Sequence, residues 1–410
     1  MNSSTLSRVA NIQMGQSPPG ETYNEDGNGL PFFQGVRDFN YRFPTLRVYC
    51  TAPTRIADPG DILLSIRAPI GRVNIASERC ATGRGIAIIH PLDRSDGRYI
   101  EFVLRYMESY WNILEGGGSV FGNAKRSDLE SFQLPWPEKQ HRKKIATILS
   151  TYDDLIENNL RRIKILEEMA QNLYHEWFVK FRFPDHQHAR LTDSSLGLIP
   201  EGWKVKRLDE LCSAVLDGDW IETKDQGGED YRLLQISNIG LGDFVETGKF
   251  RFITQETFER LRCTEIQPDD LLIARMPTPI GRGWLARKMA WSMITAVDVA
   301  IARPNTGLIS PVFLVNFWNQ SSTLAAIEKQ SSGTTRFRIT RRELCAMPIS
   351  VPSRELQEQY STKAKPMLDL CNYFRDKNTT LQRTRDMLLP KLISGEVDVS
   401  GLDIAIPEET

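Results

Sequence analysis

A few short stretches of this 410-residue chain carry residue types that could do chemistry. Ser17-Pro18-Pro19-Gly20 approaches the loop with which amino-methyltransferases grip a target base. Gly20, however, stands where that loop needs a stacking aromatic, and no glycine-rich strand-turn-helix nearby offers a cofactor site. Residues 15–22, GQSPPGET, have P-loop spacing with Glu21 in the lysine position, which would repel a nucleotide phosphate. Pro268-Asp269 could open a nuclease motif, yet no Asp-x-Lys or Glu-x-Lys follows to complete the metal-binding pair. Cys50, Cys80, Cys212, Cys263, Cys345 and Cys371 include no CxxC pair, and the histidines form no array beyond His186-Gln187-His188. Ordinary reduced cysteines are therefore expected, rather than structural zinc. Every motif for methyl transfer, nucleotide hydrolysis or nuclease chemistry is broken.

What recurs instead is polar and basic chemistry suited to binding. Pro69-Ile70-Gly71-Arg72 is answered by Pro279-Ile280-Gly281-Arg282, and an arginine precedes each turn, Arg67 and Arg275. Phe33-Gln34-Gly35-Val36 is answered by Leu234-Gln235-Ile236-Ser237, with Arg37 and Asn238 close by. Two glycine-rich basic loops complete the set. Residues 116–126, GGGSVFGNAKR, offer Ser119, Asn123, Lys125 and Arg126; residues 333–342, GTTRFRITRR, offer Thr334, Thr335, Arg336, Arg338, Arg341 and Arg342. Small residues let backbone amides approach phosphates, hydroxyls and amides add neutral hydrogen bonds, and the guanidinium fork fits phosphate and guanine edges alike. The plainer alternative is a solvated turn with scattered charges; recurrence in both halves favours binding.

These loops precede two long amphipathic stretches. From Lys139 to Phe181 apolar residues recur every seven positions: Ile145, Tyr152, Asn159, Leu166 and Leu173 on one seam position, and Leu149, Ile156, Ile163, Ala170 and Trp177 on the other. The pattern returns 215 residues later, with Tyr360, Met367, Phe374, Leu381 and Leu388 echoing the first set and Ala364, Cys371, Asn378, Arg385 and Leu392 the second. Such a repeat marks a duplication. Asn159, Asn378 and Arg385 are its polar exceptions, either register-setting pairs inside the helix pair, which is the favoured reading, or contacts to a docked subunit. Pro366 is expected to kink the second helix or to mark its start.

The expected organisation is α+β: a first mixed globular domain at 1–137, a long helix at 138–183, a polar linker at 184–199, a second globular domain at 200–352, a second long helix at 353–395 and a tail at 396–410. Helical spacing within the globular parts appears only near Tyr99–Leu114 and Val312–Gln330. The formal charge of −1 does not advertise nucleic-acid binding, so a basic groove must be offset by acidic surface elsewhere. No long apolar run is present, and a cytoplasmic protein without membrane contact is expected.

The order of parts, with Gln140-His141-Arg142-Lys143-Lys144-Ile145-Ala146 entering the central helix, Leu198-Ile199-Pro200-Glu201-Gly202-Trp203 opening the second half and LLPKLISGE at 388–396, resembles the DNA-specificity subunit of type I restriction-modification systems. The resemblance covers essentially the whole chain and departs at Glu355-Leu356-Gln357-Glu358-Gln359, which replaces a basic run. It implies a non-catalytic subunit that serves restriction of foreign DNA and DNA methylation. Two target recognition domains would each read half of a bipartite, asymmetric double-stranded DNA site, and the helices would form an antiparallel coiled coil between them. Two methylation subunits and the restriction (translocase and nuclease) subunits would be partners and would carry S-adenosylmethionine, ATP and Mg, with no cofactor on this chain. A helix of about 40 residues at about 1.5 Å each is roughly 60 Å long, enough to separate two reading heads by a turn of DNA, about 34 Å, or more. The competing readings are a self-contained fused restriction-modification enzyme, for which every motif is broken, and a protein-interaction scaffold, which predicts no salt-dependent DNA affinity.

Overall fold

The computed structural model describes residues 2–115, 123–333 and 337–406. Two compact units divide the chain, one made of Met1–Arg161 with Arg375–Thr410 and the other of Arg162–Phe374. The division falls within both long helices rather than in the linker, so each unit holds one globular part with a segment of each helix.

In the first unit a four-stranded antiparallel sheet runs in the order Ala10–Met14, Ile86–Pro91, Ile62–Ser65, Val73–Ile75. Its central strands read as unbroken apolar runs because both faces are covered. Ile62, Leu64, Ala87 and Ile89 join the core with Tyr99, Phe102 and Trp111, while Leu63, Ile86 and Ile88 pack with Phe33, Ala57 and Cys80 of a second, five-stranded sheet. The second unit repeats the plan with Cys212–Asp217, Val299–Pro304, Leu271–Ala274 and Gly283–Leu285. Again alternate residues part: Leu271, Ile273, Ala300 and Ala302 go to one core and Leu272, Ala274, Val299 and Ile301 to another. The expected helical stretches are each two helices, Gly97–Tyr106 with Glu108–Glu115 and Pro311–Trp318 with Ser321–Gln330. Short helices at Leu6–Val9, Arg126–Glu130, Gln255–Leu261 and Arg341–Cys345 carry too few turns to show periodicity.

The first long helix covers Lys139–Tyr174 and closes in a π turn, His175–Val179, a few residues before the expected end. The second covers Arg354–Ser394 without a break, and Pro366 lies inside it, so the helix does not start at that residue. A proline costs one backbone bond; buried Tyr360, Ala364 and Cys371 on either side offset that loss. The linker is not featureless, since Leu191–Ser194 and Gly197–Pro200 pair as a hairpin whose turn uses the positive φ of Gly197.

A buried contact seats each helix on its globular part. Arg142 grips the Asp96 carboxylate with two bonds of 2.8 and 2.7 Å, donates to the Pro137 carbonyl and lies 4.1 Å from the Trp136 ring centroid. At the equivalent place in the second unit Gln357 accepts from the Ser310 amide at 2.8 Å and donates to the Pro352 carbonyl at 3.0 Å. Asp96 and Ser310 are the N-caps of Gly97–Tyr106 and Pro311–Trp318. A charged clamp and a neutral one therefore do the same work.

Within the first unit Ile145 and Leu149 share a core with Leu389 and Leu392, Asp153 meets Arg385, and Asn159 Nδ2 donates to Asn378 Oδ1 at 2.8 Å. Partner numbers fall as helix numbers rise, so these segments run in opposite directions. In the second unit the Cys371 thiol donates to the Ile163 carbonyl at 3.7 Å and the Tyr360 hydroxyl to the Ala170 carbonyl at 3.4 Å. Of the expected seam, Ile145, Leu149, Ile156, Asn159, Ile163, Cys371 and Asn378 are buried, whereas Tyr152, Leu166, Leu173, Met367, Phe374, Leu381 and Leu388 are half-buried. Asp153, beside the seam, is fully buried in place of Tyr152 because Arg98, Arg105, Arg385 and Tyr41 surround it.

Candidate nucleic-acid interface

In the first unit the loop after Leu30–Phe33 bends through a short 3-10 turn, Val36–Asp38, held by the Asp38 carboxylate accepting from the Gln34 amide at 2.7 Å. That turn presents Gln34 and Arg37 to a cleft of about 840 Å³, which Arg47 and Arg67 also line beside the stacked rings of Tyr23 and Phe32. Arg37, Arg47 and Arg67 are exposed, and no carboxylate among the described residues pairs with them. The structure thus brings together three of the expected residues, and adds Arg47, which no repeat or motif had marked. Arg67 forms an isolated bridge with exposed Asn123, placing the second loop at the edge of the same region. Lys125 is exposed, Arg126 pairs with Glu130 at 2.7 Å and Arg72 with Glu108 at 3.0 Å. Ser119 lies outside the described residues.

The loop's base is tied down. Asn40 and Asn74 exchange hydrogen bonds of 3.1 and 2.9 Å, Tyr41 donates to Asp153 at 2.8 Å and Arg42 reaches Asp154 at 2.6 Å. Asp153 also receives Arg385 at 2.6 Å, Arg98 at 3.1 Å and Arg105 at 3.3 Å. Burial alone would raise the Asp153 carboxyl; the charges of Arg105, Arg385 and Arg98 override it and hold the group below its ordinary value. Burial and the neighbouring Asp153 push Tyr41 well up.

The second unit gathers Arg207, Arg275, Arg338, Arg341 and Arg342 around a cleft of about 660 Å³. Arg338 pairs with Asp298 at 2.8 Å, and Asp217 takes Arg275 on one oxygen and Arg341, at 3.5 Å, on the other. Arg341 and Arg342 open a helix capped by Thr340 rather than sitting in a loop. For Arg338 and Arg341 the chain supplies carboxylate partners itself. Thr334, Thr335 and Arg336 lie outside the described residues.

Several expected contacts prove structural. Arg282 donates to the carbonyls of Ile239, Pro277, Pro279 and Ile236, so its fork is saturated, and burial lowers its pKa. Asn238 is buried, capping the Gln235 amide at 2.9 Å and donating to Val245, and Gln235 is half-buried beside it. Arg275 is only 5 % exposed. Its backbone donates to Asp298 and accepts from Ile339, as Ile66 donates to Gly85 and accepts from Ala124; Arg275 is thus the counterpart of Ile66, not of Arg67. A one-residue slip before the Pro-Ile-Gly turn had aligned two unrelated arginines. The turn's glycines face inward: with φ of +90° and +86°, a Cβ on Gly71 would meet Trp111 at 2.4 Å and one on Gly281 would meet Ile327 at 2.7 Å. Asp269 has φ of +70° where Gly60 has +86°, so Pro268-Asp269 is a tight turn rather than the start of a metal site.

All six cysteines are free, and among the described residues no three His, Cys, Asp or Glu side chains cluster to hold a metal. Among the described residues no helix is long and apolar enough to cross a membrane.

Residues 1–168 match the type I restriction modification DNA specificity domain. A putative type I restriction enzyme MjaX specificity subunit from Methanocaldococcus jannaschii is 38 % identical over 163 residues, 40 % of this chain and 38 % of that protein, so the chain matches well under half of that relative. The HindI specificity subunit of Haemophilus influenzae is 34 % identical over 347 residues, 71 % of this chain and 74 % of the relative. The chain belongs to the type I restriction specificity subunits. Its role is that of a DNA-recognition subunit. The fold agrees with the solved S subunit from M. genitalium, with a TM-score of 0.58 at 15 % identity over 100 % of this chain and 96 % of that one.

Proposed function

We propose that the globular parts, 1–137 and 200–352, each read one half of a bipartite asymmetric DNA target, through the arginine cleft of each unit. The observation that carries this reading is the divergence of two clefts on a repeated fold. Arg37, Arg47 and Arg67 without carboxylate partners line one, and Arg275, Arg338 and Arg341 held by Asp217 and Asp298 line the other. Identical domains would read a symmetric site; domains whose side chains differ this much read different half-sites. The opposed helix segments of each unit support an antiparallel coiled coil, built from 138–183 and 353–395, that sets the spacer. Exposed Leu155, Ile165, Met169, Leu370 and Tyr373 on the helices suit docking of two methylation subunits, to which the restriction subunits add. This chain is non-catalytic in that scheme and acts in the cytoplasm, with S-adenosylmethionine, ATP and Mg on its partners.

The test is to map methylated sites in cells carrying the chain with its methylation partner, then repeat with Arg37→Ala, Arg67→Ala and Arg341→Ala. Loss of a base-reading arginine should cost about 1–3 kcal/mol and relax one position of one half-site, while loss of a phosphate contact should lower the salt slope by about one. Unchanged sites and unchanged salt dependence for all three would refute the assignment of the clefts.

A further inference from the structure

The second cleft is unusual in how its positive charge is spent internally. Asp217, at the end of its strand and 38 % exposed, holds Arg275 and Arg341 at once, and Asp298, in the turn after Thr295, holds Arg338. Arg207 is taken by Asp209 at 2.7 Å. Even so, Arg275 Nε and Arg338 Nε are buried with no hydrogen-bond partner among the described residues. The forks are thus oriented and partly neutralised, yet keep donor capacity unused. At the equivalent place in the first unit Gly85 stands for Asp298 and Ile66 for Arg275, so that pairing has no counterpart among the described residues there.

Carboxylate and phosphate compete for the same guanidinium geometry. An arginine paired with an internal carboxylate must give up that bond to take a DNA phosphate, so its net gain is the difference of two similar interactions. Binding to DNA without the target sequence rests essentially on backbone electrostatics and loses most from such competition; a cognate site also has base contacts to offset it.

Resting on the reading of this cleft as DNA-facing, we propose that Asp217 and Asp298 are built-in competitors for the DNA backbone. They hold Arg338 and Arg341, with the buried Arg275 fixing Asp217 in place, and suppress binding of the second recognition domain to non-cognate DNA. They are positioning and specificity-determining residues, with no part in reading bases.

The experiment uses the full chain with its methylation partner and two duplexes, one bearing the mapped site and one lacking it, titrated by fluorescence anisotropy at several salt concentrations. Asp217→Asn and Asp298→Asn should each tighten binding to the non-cognate duplex about threefold, each freeing one partly exposed arginine. The salt dependence should steepen by about one unit per arginine released. Glu256→Gln, an exposed site outside the cleft, makes the same charge change as control. Equal effects from all three would overturn the proposal alone. Unchanged DNA binding by Arg338→Ala and Arg341→Ala would overturn the DNA-facing reading and the proposal with it. If Asp217→Asn fails to fold, Asp298→Asn carries the test, because its partner Arg338 is 40 % exposed and tolerates release.

Discussion

Replacing Asp153 by asparagine should destabilise the first unit more than any other single polar change in it. The carboxylate is fully buried and is one of two buried negative charges, with Glu101, among Arg98, Arg105 and Arg385, whose third carboxylate, Asp386, is exposed. Removing one member of a buried ion network costs about 3–5 kcal/mol, because the remaining charges stay buried without compensation. Asparagine keeps an oxygen for Tyr41 and Arg385, which puts Asp153→Asn near the lower figure and Asp153→Leu near the upper. For a unit of roughly 200 residues, about 3 kcal/mol corresponds to a fall in Tm of about 6–12 °C. Calorimetry of the full chain checks this, with pH as a second axis. The folded carboxyl lies below its unfolded value of about 3.9, so its contribution is present above that pH and is lost as the pH falls through the folded pKa. Wild type and Asp153→Asn should therefore converge in acid below about pH 4. A Tm change under about 2 °C at pH 7, or a difference that persists undiminished at pH 3, would refute the assignment.

Asn159→Leu or Asn378→Leu alone should cost about 1–3 kcal/mol by stranding the other buried amide, while the double substitution is close to neutral; urea melts of the four proteins form the cycle. Arg142→Gln alone strands the buried Asp96 carboxylate, whereas Asp96→Asn with Arg142→Gln removes both charges of the pair, so the double variant should melt nearer wild type than Arg142→Gln alone, by differential scanning fluorimetry. Asp219, raised to about 6 by burial against an opposing Thr264 amide bond, contributes stability fully present below about pH 4 and lost as the pH rises through 6. Asp219→Asn should thus gain about 1 kcal/mol at pH 7.5 after allowance for its partial exposure and nothing at pH 4, read by denaturant midpoints. Finally, fragment 1–196 should self-associate through its exposed seam. The repeat offset, however, puts Ile163 of one copy against Asn159 of the other, so Ile163→Asn should tighten the dimer in light scattering; an unchanged dimer would break the register argument.

The helices and the duplication were legible because heptad spacing is written locally and the 215-residue offset survives intact across both helices. Asn159 and Asn378 were legible as polar exceptions, and their pairing is as expected. Asp153 was not: one step from the seam it looks like a solvent-facing charge, and only the arrival of Arg98 and Arg105 from a helix some fifty residues earlier makes burial tolerable. The candidate interface was half legible. Arg37 and Arg67 meet in one cleft as expected, but Arg275, Arg282 and Asn238 turn inward, since sequence recurrence cannot tell an arginine that faces solvent from one saturated by carbonyls. Pro366 misled only as a helix start, where burial on both sides outweighs a missing amide.

The asparagine pair bears on how such a chain can evolve. By the repeat offset Asn159 corresponds to Phe374 and Ile163 to Asn378. The two ancestral copies have therefore diverged at the same layer, so that one half now supplies what the other lacks. Because Asn159 lies before the hairpin linker and Asn378 after it, a crossover in that linker separates the pair. Recombination there can shuffle half-site specificities freely between parents that both carry the asparagines. A parent lacking one of them would bequeath a stranded buried amide to its offspring. What began as repetition has become heritable complementarity, and it favours joining a first half to a second over joining like to like.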